Sequence, residues 1–102
     1  MVLLDLSLYP LGEGESVSSY VAKCLDVIDR SGLDYQSHSM GTTIEGEFDQ
    51  VMDVVRDCFN ALAADCHRIE GTITLDYRKG RTGGLAAKLA STERVLGREV
   101  KK

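Results

Sequence analysis

The sequence predicts an α+β fold, in which an antiparallel sheet carries two helices on one of its faces. Two observations predict it. Apolar residues alternate with polar ones over several short segments, as in half-buried strands, and recur every three or four residues over two longer segments, as in amphipathic helices. With 102 residues, 43% hydrophobic and 27% charged, the chain suits one small globular domain and not a disordered segment.

The first two elements are a strand and a helix. Residues 2–9 alternate imperfectly but present one hydrophobic face, and the single proline, Pro10, ends the strand. After a turn-rich loop, Ser16 is expected to cap a helix whose apolar residues between 17 and 28 form one stripe. Ser31-Gly32 is expected to end this helix, because glycine suits the left-handed conformation that follows a last helical turn.

A hairpin of two strands follows the first helix. Residues 33–40 predict a weak, partly polar strand, and Gly41 is expected to form a turn. Residues 42–48 predict the next strand, with Ile44 and Phe48 on one face. The short separation between the two strands indicates that they pair directly with each other.

The second half of the chain adds a helix, a strand and a tail. Asp49 is expected to cap a helix with apolar residues at intervals of three and four between 51 and 66. Residues 69–77 predict a half-buried strand with one wet face. The order β-α-β-β-α-β is the ferredoxin-like arrangement, so residues 1–102 predict one such domain. A basic loop and a short helix in residues 79–102 are expected to contribute to contacts between subunits of an oligomer.

Composition excludes several classes of protein. The net charge of −4 argues against a nucleic-acid-binding domain, which carries a basic face. No apolar run approaches the roughly 18–20 residues of a membrane span, and residues 1–5 lack the basic segment of a secretory signal. An odd number of cysteines, three, gives no disulfide framework, so a reduced, cytoplasmic location is expected.

The cysteines and histidines are weak candidates for chemistry. Cys24 and Cys58 fall on the apolar stripes of their helices and are expected to be structural. Cys66-His67 is adjacent, not spaced for tetrahedral ligation, so we expect no metal site and no cofactor. His38 could face Glu45 across the hairpin, which would resemble half of an acid–base device, but an exposed or interface histidine is the simpler interpretation.

Two polar segments admit two interpretations each. The hairpin around residues 35–46 carries hydroxyl groups at positions 37, 39, 42 and 43, which fits either a polar pocket or an exposed edge. The segment Gly80–Gly84 could hold an anion through free N–H groups before a helix, or serve as a tether to the tail. It matches no phosphate-loop pattern.

Short motifs in a fixed order extend along nearly the whole chain: Pro10-Leu11-Gly12, Ser16-Val17-Ser18, Tyr20-Val21-Ala22, Ser31-Gly32-Leu33, Met40-Gly41-Thr42, Ile44-Glu45-Gly46 and Asp76-Tyr77-Arg78, with Leu85, Lys88 and Ser91 in the tail. In these motifs the chain resembles the small thiamine-binding-protein family. The resemblance implies a ferredoxin-like fold assembled into dimers and commonly tetramers. It also implies binding of thiamine or its hydroxymethylpyrimidine half without catalysis. Ser39 and Ser37 depart from the family, which usually has proline and an aliphatic residue there.

The hairpin carries groups that suit the implied ligand. An aminopyrimidine needs an acceptor for its amino group and donors for its ring nitrogens, and a flat ring packs well on aromatic or thioether side chains. Glu45 is expected to accept from the amino group, and Thr42 or Thr43 to bond a ring nitrogen, although alternation prevents both from facing one site. The other candidate ligand-binding residues are Ser37, Tyr35 and Met40, with Ser16 and Ser18 as weaker ones.

The sequence therefore predicts a non-catalytic, cytoplasmic carrier or sensor of thiamine or hydroxymethylpyrimidine that forms a homo-oligomer. The resemblance alone implies that this oligomer is a dimer and commonly a tetramer. Two alternatives stay open. One is a structural or regulatory oligomer without a small ligand, whose polar hairpin is an interface. The other is an enzyme with a site shared between subunits, using His38 or His67 with an acid of the partner.

Overall fold

The computed structural model describes residues 1–12 and 17–99. It confirms the predicted element order and the short helix in the tail. The elements are β1 Val2–Pro10, α1 Ser18–Arg30, β2 Asp34–His38, β3 Gly41–Gly46, α2 Phe48–Ala63, β4 Ile69–Tyr77 and α3 Gly84–Leu96.

The four strands form one antiparallel sheet in the order β2-β3-β1-β4. Leu4 of β1 lies opposite Ile44 of β3 and Leu75 of β4, so these three side chains share the face that carries α1 and α2. The core lies between this face and the two helices, and its fully buried side chains are Leu4, Ile28, Ile44, Val51, Cys58 and Leu62. The ferredoxin-like prediction is confirmed.

The third helix lies on the other face of the sheet, where a buried carboxylate holds its first residue. Glu45 is opposite Leu3 and so points away from α1 and α2. Its side chain is buried, and its Oε2 accepts a hydrogen bond of 2.6 Å from the backbone N–H of Gly84. A carboxylate at this position satisfies an N–H group that has no partner within the helix and opposes the positive end of the helix dipole.

The start of α2 differs from the sequence prediction. Phe48 does not belong to β3; it is the first residue of α2, and its side chain is half exposed. Glu47 is the N-cap instead of Asp49, and its backbone N–H donates to the side-chain oxygen of Gln50 over 2.9 Å. This is the reciprocal pattern of a capping box, which ends the strand two residues before the predicted boundary.

The start of α1 also differs, because Val17 occupies the N-cap position and Ser18 is the first helical residue. The predicted cap, Ser16, lies outside the described residues. The predicted end is confirmed: α1 stops at Arg30, and Gly32 takes a positive φ of 77°.

Strand β4 has no buried face. Its apolar residues point to the side of the sheet that carries the helices, yet Ile73, Leu75 and Tyr77 are 43%, 47% and 65% exposed. We call these three residues the β4 apolar row. The sequence predicted that this face would be covered, and within the described residues it is not.

Candidate functional site

A groove with a volume of about 390 Å³ lies between α1 and the end of the sheet that bears the β2–β3 turn. Leu6 and Leu8 of β1 form its floor on the sheet side, and Val21, Leu25 and Ile28 of α1 form the facing wall. The walls are therefore apolar, as is usual for sites that take small organic molecules.

The hairpin supplies the polar side of the groove. Ser37 lies opposite Thr42 on β3, and Thr42 lies opposite Leu6 on β1, so the three side chains form a row on the helix-bearing face. Thr42 is 7% exposed, whereas Met40 at the tip of the turn is 79% exposed. Ser37, Met40 and Thr42 all line the groove, as do Ser39 and Gly41.

The structure does not bring the other candidate residues into this groove. Thr43 points to the opposite face, where its Oγ1 donates to Oδ1 of Asp5 over 3.0 Å, and Glu45 holds α3 on that same face. Of the two adjacent threonines, Thr42 is thus the one that faces the groove. Glu45 and Thr42 therefore cannot contact one small ligand from the same side of the sheet.

Two further candidates lie near the groove without lining it. The Tyr35 hydroxyl donates to Oδ1 of Asp29, near the end of α1, over 2.8 Å. This hydrogen bond to a carboxylate raises the pKa of the Tyr35 phenol. Ser18 is exposed in the first turn of α1. Ser16 lies outside the described residues, so its predicted role stays a prediction.

His38 does not pair with Glu45; it is exposed, in agreement with the simpler interpretation of the sequence. Gly41 lies opposite His38, whereas Glu45 lies opposite Asp34. The ring instead contacts Oδ1 of Asp5 through Nε2 at 2.8 Å, and Nδ1 accepts the backbone N–H of Met40 at 3.3 Å. Because Nδ1 accepts, a neutral ring carries its proton on Nε2 and donates it to Asp5. Both ring nitrogens thus hold the β2–β3 turn in place.

Asp5 was missed as a site residue by sequence reasoning. It accepts from both His38 and Thr43 and so links β1 to the hairpin. The available signal was a lone carboxylate within a mostly apolar strand.

Cys24 and Cys58 lie in the core, as predicted. The Sγ of Cys58 donates to the backbone oxygen of Cys24 over 3.6 Å, and this thiol's contact with Cys24 together with burial raises its pKa. The Cys58 thiol is therefore protonated at neutral pH and unreactive. Among residues 1–12 and 17–99, no group of three or more His, Cys, Asp or Glu side chains is placed to hold a metal ion. No helix in those ranges has the length and apolarity needed to cross a membrane.

The charge of the groove limits what it can bind. None of the described residues that line it is Asp, Glu, Lys or Arg. Its polar lining includes several hydroxyls, which both donate and accept hydrogen bonds, and His38. A flat molecule with ring nitrogens fits this combination of apolar walls and a hydroxyl-bearing side.

Comparison with known proteins agrees with the sequence motifs. The sequence model of the family described as "Thiamine-binding protein" matches residues 4–93. The chain belongs to this family. A relative within it, the UPF0045 protein Mb1933 of Mycobacterium bovis, is 40% identical over 96 residues, which cover 93% of this chain and 94% of the relative. The UPF0045 protein MJ1052 of Methanocaldococcus jannaschii is 31% identical over 88 residues, covering 86% and 88%.

Solved structures show the same thiamine-binding-protein fold. The crystal structure of MJ1052 superposes with a TM-score of 0.83 at 30% identity, covering 89% of this chain and 94% of that one. A Thermotoga maritima protein, TM0486, described as a candidate thiamine biosynthesis/salvage protein, gives a TM-score of 0.79 at 23% identity and covers 89% and 97%. At that identity the second likeness supports the fold alone.

Proposed function

We propose that the protein binds thiamine or its hydroxymethylpyrimidine moiety in the groove and releases it unchanged, as a cytoplasmic carrier or sensor. The description of the family supports this class of ligand. The observation that carries the proposal is the row formed by Ser37, Thr42 and Leu6 at the side of a groove in which no described lining residue is Asp, Glu, Lys or Arg. Such a row offers hydroxyls to ring nitrogens and an apolar surface to the ring face.

The surroundings of His38 support a binding role without catalysis. A general base needs a ring nitrogen directed at the substrate, but both nitrogens of His38 contact other groups of the chain. We further propose that the protein acts as a homo-oligomer, a dimer that can associate into a tetramer. The half-exposed Leu96 and the exposed Val95 at the end of α3 are available for contacts between dimers.

A matched pair of variants tests the groove. We expect Thr42→Val to weaken binding of hydroxymethylpyrimidine or thiamine about tenfold, because valine keeps the shape of threonine but removes one hydrogen-bonding hydroxyl. Thr43→Val, the same change one residue later, should leave the affinity within about twofold, since Thr43 faces the other side of the sheet. Isothermal titration calorimetry of both variants and the parent protein measures the two affinities.

Two outcomes would contradict the proposal. If Thr43→Val weakens binding and Thr42→Val does not, the ligand lies on the opposite face of the sheet. If neither compound binds the folded parent protein at roughly millimolar concentration, the carrier proposal fails and an oligomer without a small ligand takes its place.

A further inference from the structure

Strand β4 is an unprotected edge. Within the part of the chain that the structure describes, β4 pairs only with β1, so its outer side has no neighbour. Natural edge strands are usually short, charged or interrupted by proline, because a free edge pairs readily with other chains. The other edge, β2, is five residues long and polar, whereas β4 has nine residues and bears the exposed β4 apolar row.

We propose that a second copy of this chain pairs antiparallel with the outer edge of β4, around a two-fold axis through Thr74. The two sheets then form one continuous sheet with the helices of both copies on the same side. The inference specifies the interface of the homo-oligomer proposed above, and it rests on that part of the proposed function but not on the ligand.

The direction of the backbone groups limits where the axis can lie. The N–H of Leu11 donates to the carbonyl of Arg68 over 2.9 Å, continuing the register in which Tyr9 lies opposite Glu70. Even-numbered residues of β4 therefore direct their N–H and C=O groups to β1, and odd-numbered residues direct theirs outward. Two outward-facing edges pair odd residues with odd residues, so the axis passes through a residue and not between two.

Apolar pairing favours an axis through Thr74. In that register Ile73 of one copy lies opposite Leu75 of the other, and Tyr77 lies opposite Gly71, beside which Leu8 of the same copy already packs. The β4 apolar rows of the two copies come together on the helix-bearing face.

Charge favours the same axis. Glu70 of one copy lies opposite Arg78 of the other, twice by symmetry, and opposite charges across two strands stabilise the pairing. An axis through Ile73 would instead place Glu70 opposite Asp76 and Arg68 opposite Arg78, which are like-charged pairs. An axis through Thr72 would also pair opposite charges, Arg68 with Asp76, and existing partners do not separate the two registers, since Glu70 already accepts from Tyr9 and Arg68 as Asp76 does from Arg81. That axis would, however, place Ile73 opposite Gly71 and so lose the apolar pair of Ile73 with Leu75.

The surrounding helix adds apolar area to the same interface. Phe48 and Phe59 of α2 are 52% and 49% exposed, and α2 lies on the side of the sheet to which the β4 apolar row points. Covering these side chains as well removes further apolar area from water, which favours association.

Cysteine cross-linking locates the axis. In a Cys66→Ser background, Thr74→Cys places two thiols on the axis in a non-hydrogen-bonded pair, where Cα atoms are about 4.5 Å apart and a disulfide forms without distortion. Oxidised glutathione accepts the two electrons: two protein thiols become one disulfide, and two molecules of reduced glutathione are released. We expect a covalent dimer on a non-reducing gel.

The matched control is Thr72→Cys in the same background. It has the same residue type on the same face, but an axis through Thr74 separates the two thiols by four residues, about 13 Å, so no covalent dimer is expected. Cross-linking of Thr72→Cys and not of Thr74→Cys would overturn the proposed register, and cross-linking of neither would overturn the interface.

A charge exchange tests the interface without cysteines. Glu70→Arg and Arg78→Glu should each weaken self-association at least about tenfold, and the double variant should restore it, as measured by sedimentation equilibrium. Restoration matters because Glu70→Arg also removes the bond from Tyr9. A double variant that is folded but remains monomeric contradicts the proposal. Calorimetry with hydroxymethylpyrimidine on the same variants reports on the groove separately, so the two proposals can fail independently.

Discussion

Gly41→Ala is expected to lower the free energy of unfolding by about 3 kcal/mol and the melting temperature by more than about 10 °C. A Cβ atom at this position would lie 2.6 Å from the carbonyl oxygen of Leu6 and 3.3 Å from its carbonyl carbon. Both are backbone atoms of β1, so the clash can be relieved only by moving one strand away from the other. Urea unfolding followed by circular dichroism measures the change.

Gly80→Ala is the control for Gly41→Ala. Gly80 has a φ of +78°, which alanine adopts with a strain of about 1 kcal/mol, but a Cβ atom there meets nothing within 4 Å. Gly41 also has a positive φ, of +158°, so its cost includes backbone strain as well as crowding, whereas Gly80→Ala measures strain in open space. A Gly41→Ala protein as stable as the Gly80→Ala protein would show that β1 and β3 do not approach each other as closely as described.

Glu45→Ala is expected to cost about 2 kcal/mol and to release the start of α3 from the sheet. The variant leaves the buried N–H of Gly84 without its carboxylate partner at 2.6 Å. Glu45→Gln keeps an acceptor oxygen but loses the negative charge near the positive helix end, so a loss of about 1 kcal/mol is expected. Thermal unfolding measures both, and limited trypsin digestion around Lys79 reports on the release of α3.

The same two variants also decide the role of Glu45 toward the ligand. Because Glu45 and the groove are on opposite faces of the sheet, Glu45→Gln should bind hydroxymethylpyrimidine within about twofold of the parent protein. If Glu45→Gln loses binding but retains stability, the carboxylate accepts from the ligand as the sequence predicted, and the groove is not the site.

The order of the elements was predictable from the sequence because periodicity reports which residues are buried. The first and last residues of each element were less predictable. Phe48 fits the alternation of β3 as well as the first turn of α2, and only the exchange between Glu47 and Gln50 decides between them. The exposure of Ile73 and Leu75 was not predictable, since alternation shows that one face is apolar but not what covers it.

The candidate site was predicted in part for a similar reason. The polar hairpin drew attention to Ser37, Met40 and Thr42, which do line the groove. Its sequence could not show that Glu45 accepts from the start of α3, because that contact joins residues 39 positions apart. Asp5 was missed because its partners, His38 and Thr43, become neighbours only when β1 and the hairpin pair.

The exposure of β2 provides a way to detect a molecule bound in the groove. All five residues of β2 are exposed, and in the sheet the strand pairs only with β3. Such a strand opens locally at a lower free energy than the buried strands, so its amide hydrogens exchange early. A molecule bound between α1 and Ser37 holds this strand closed, and slower exchange at residues 34–38 would then signal occupancy.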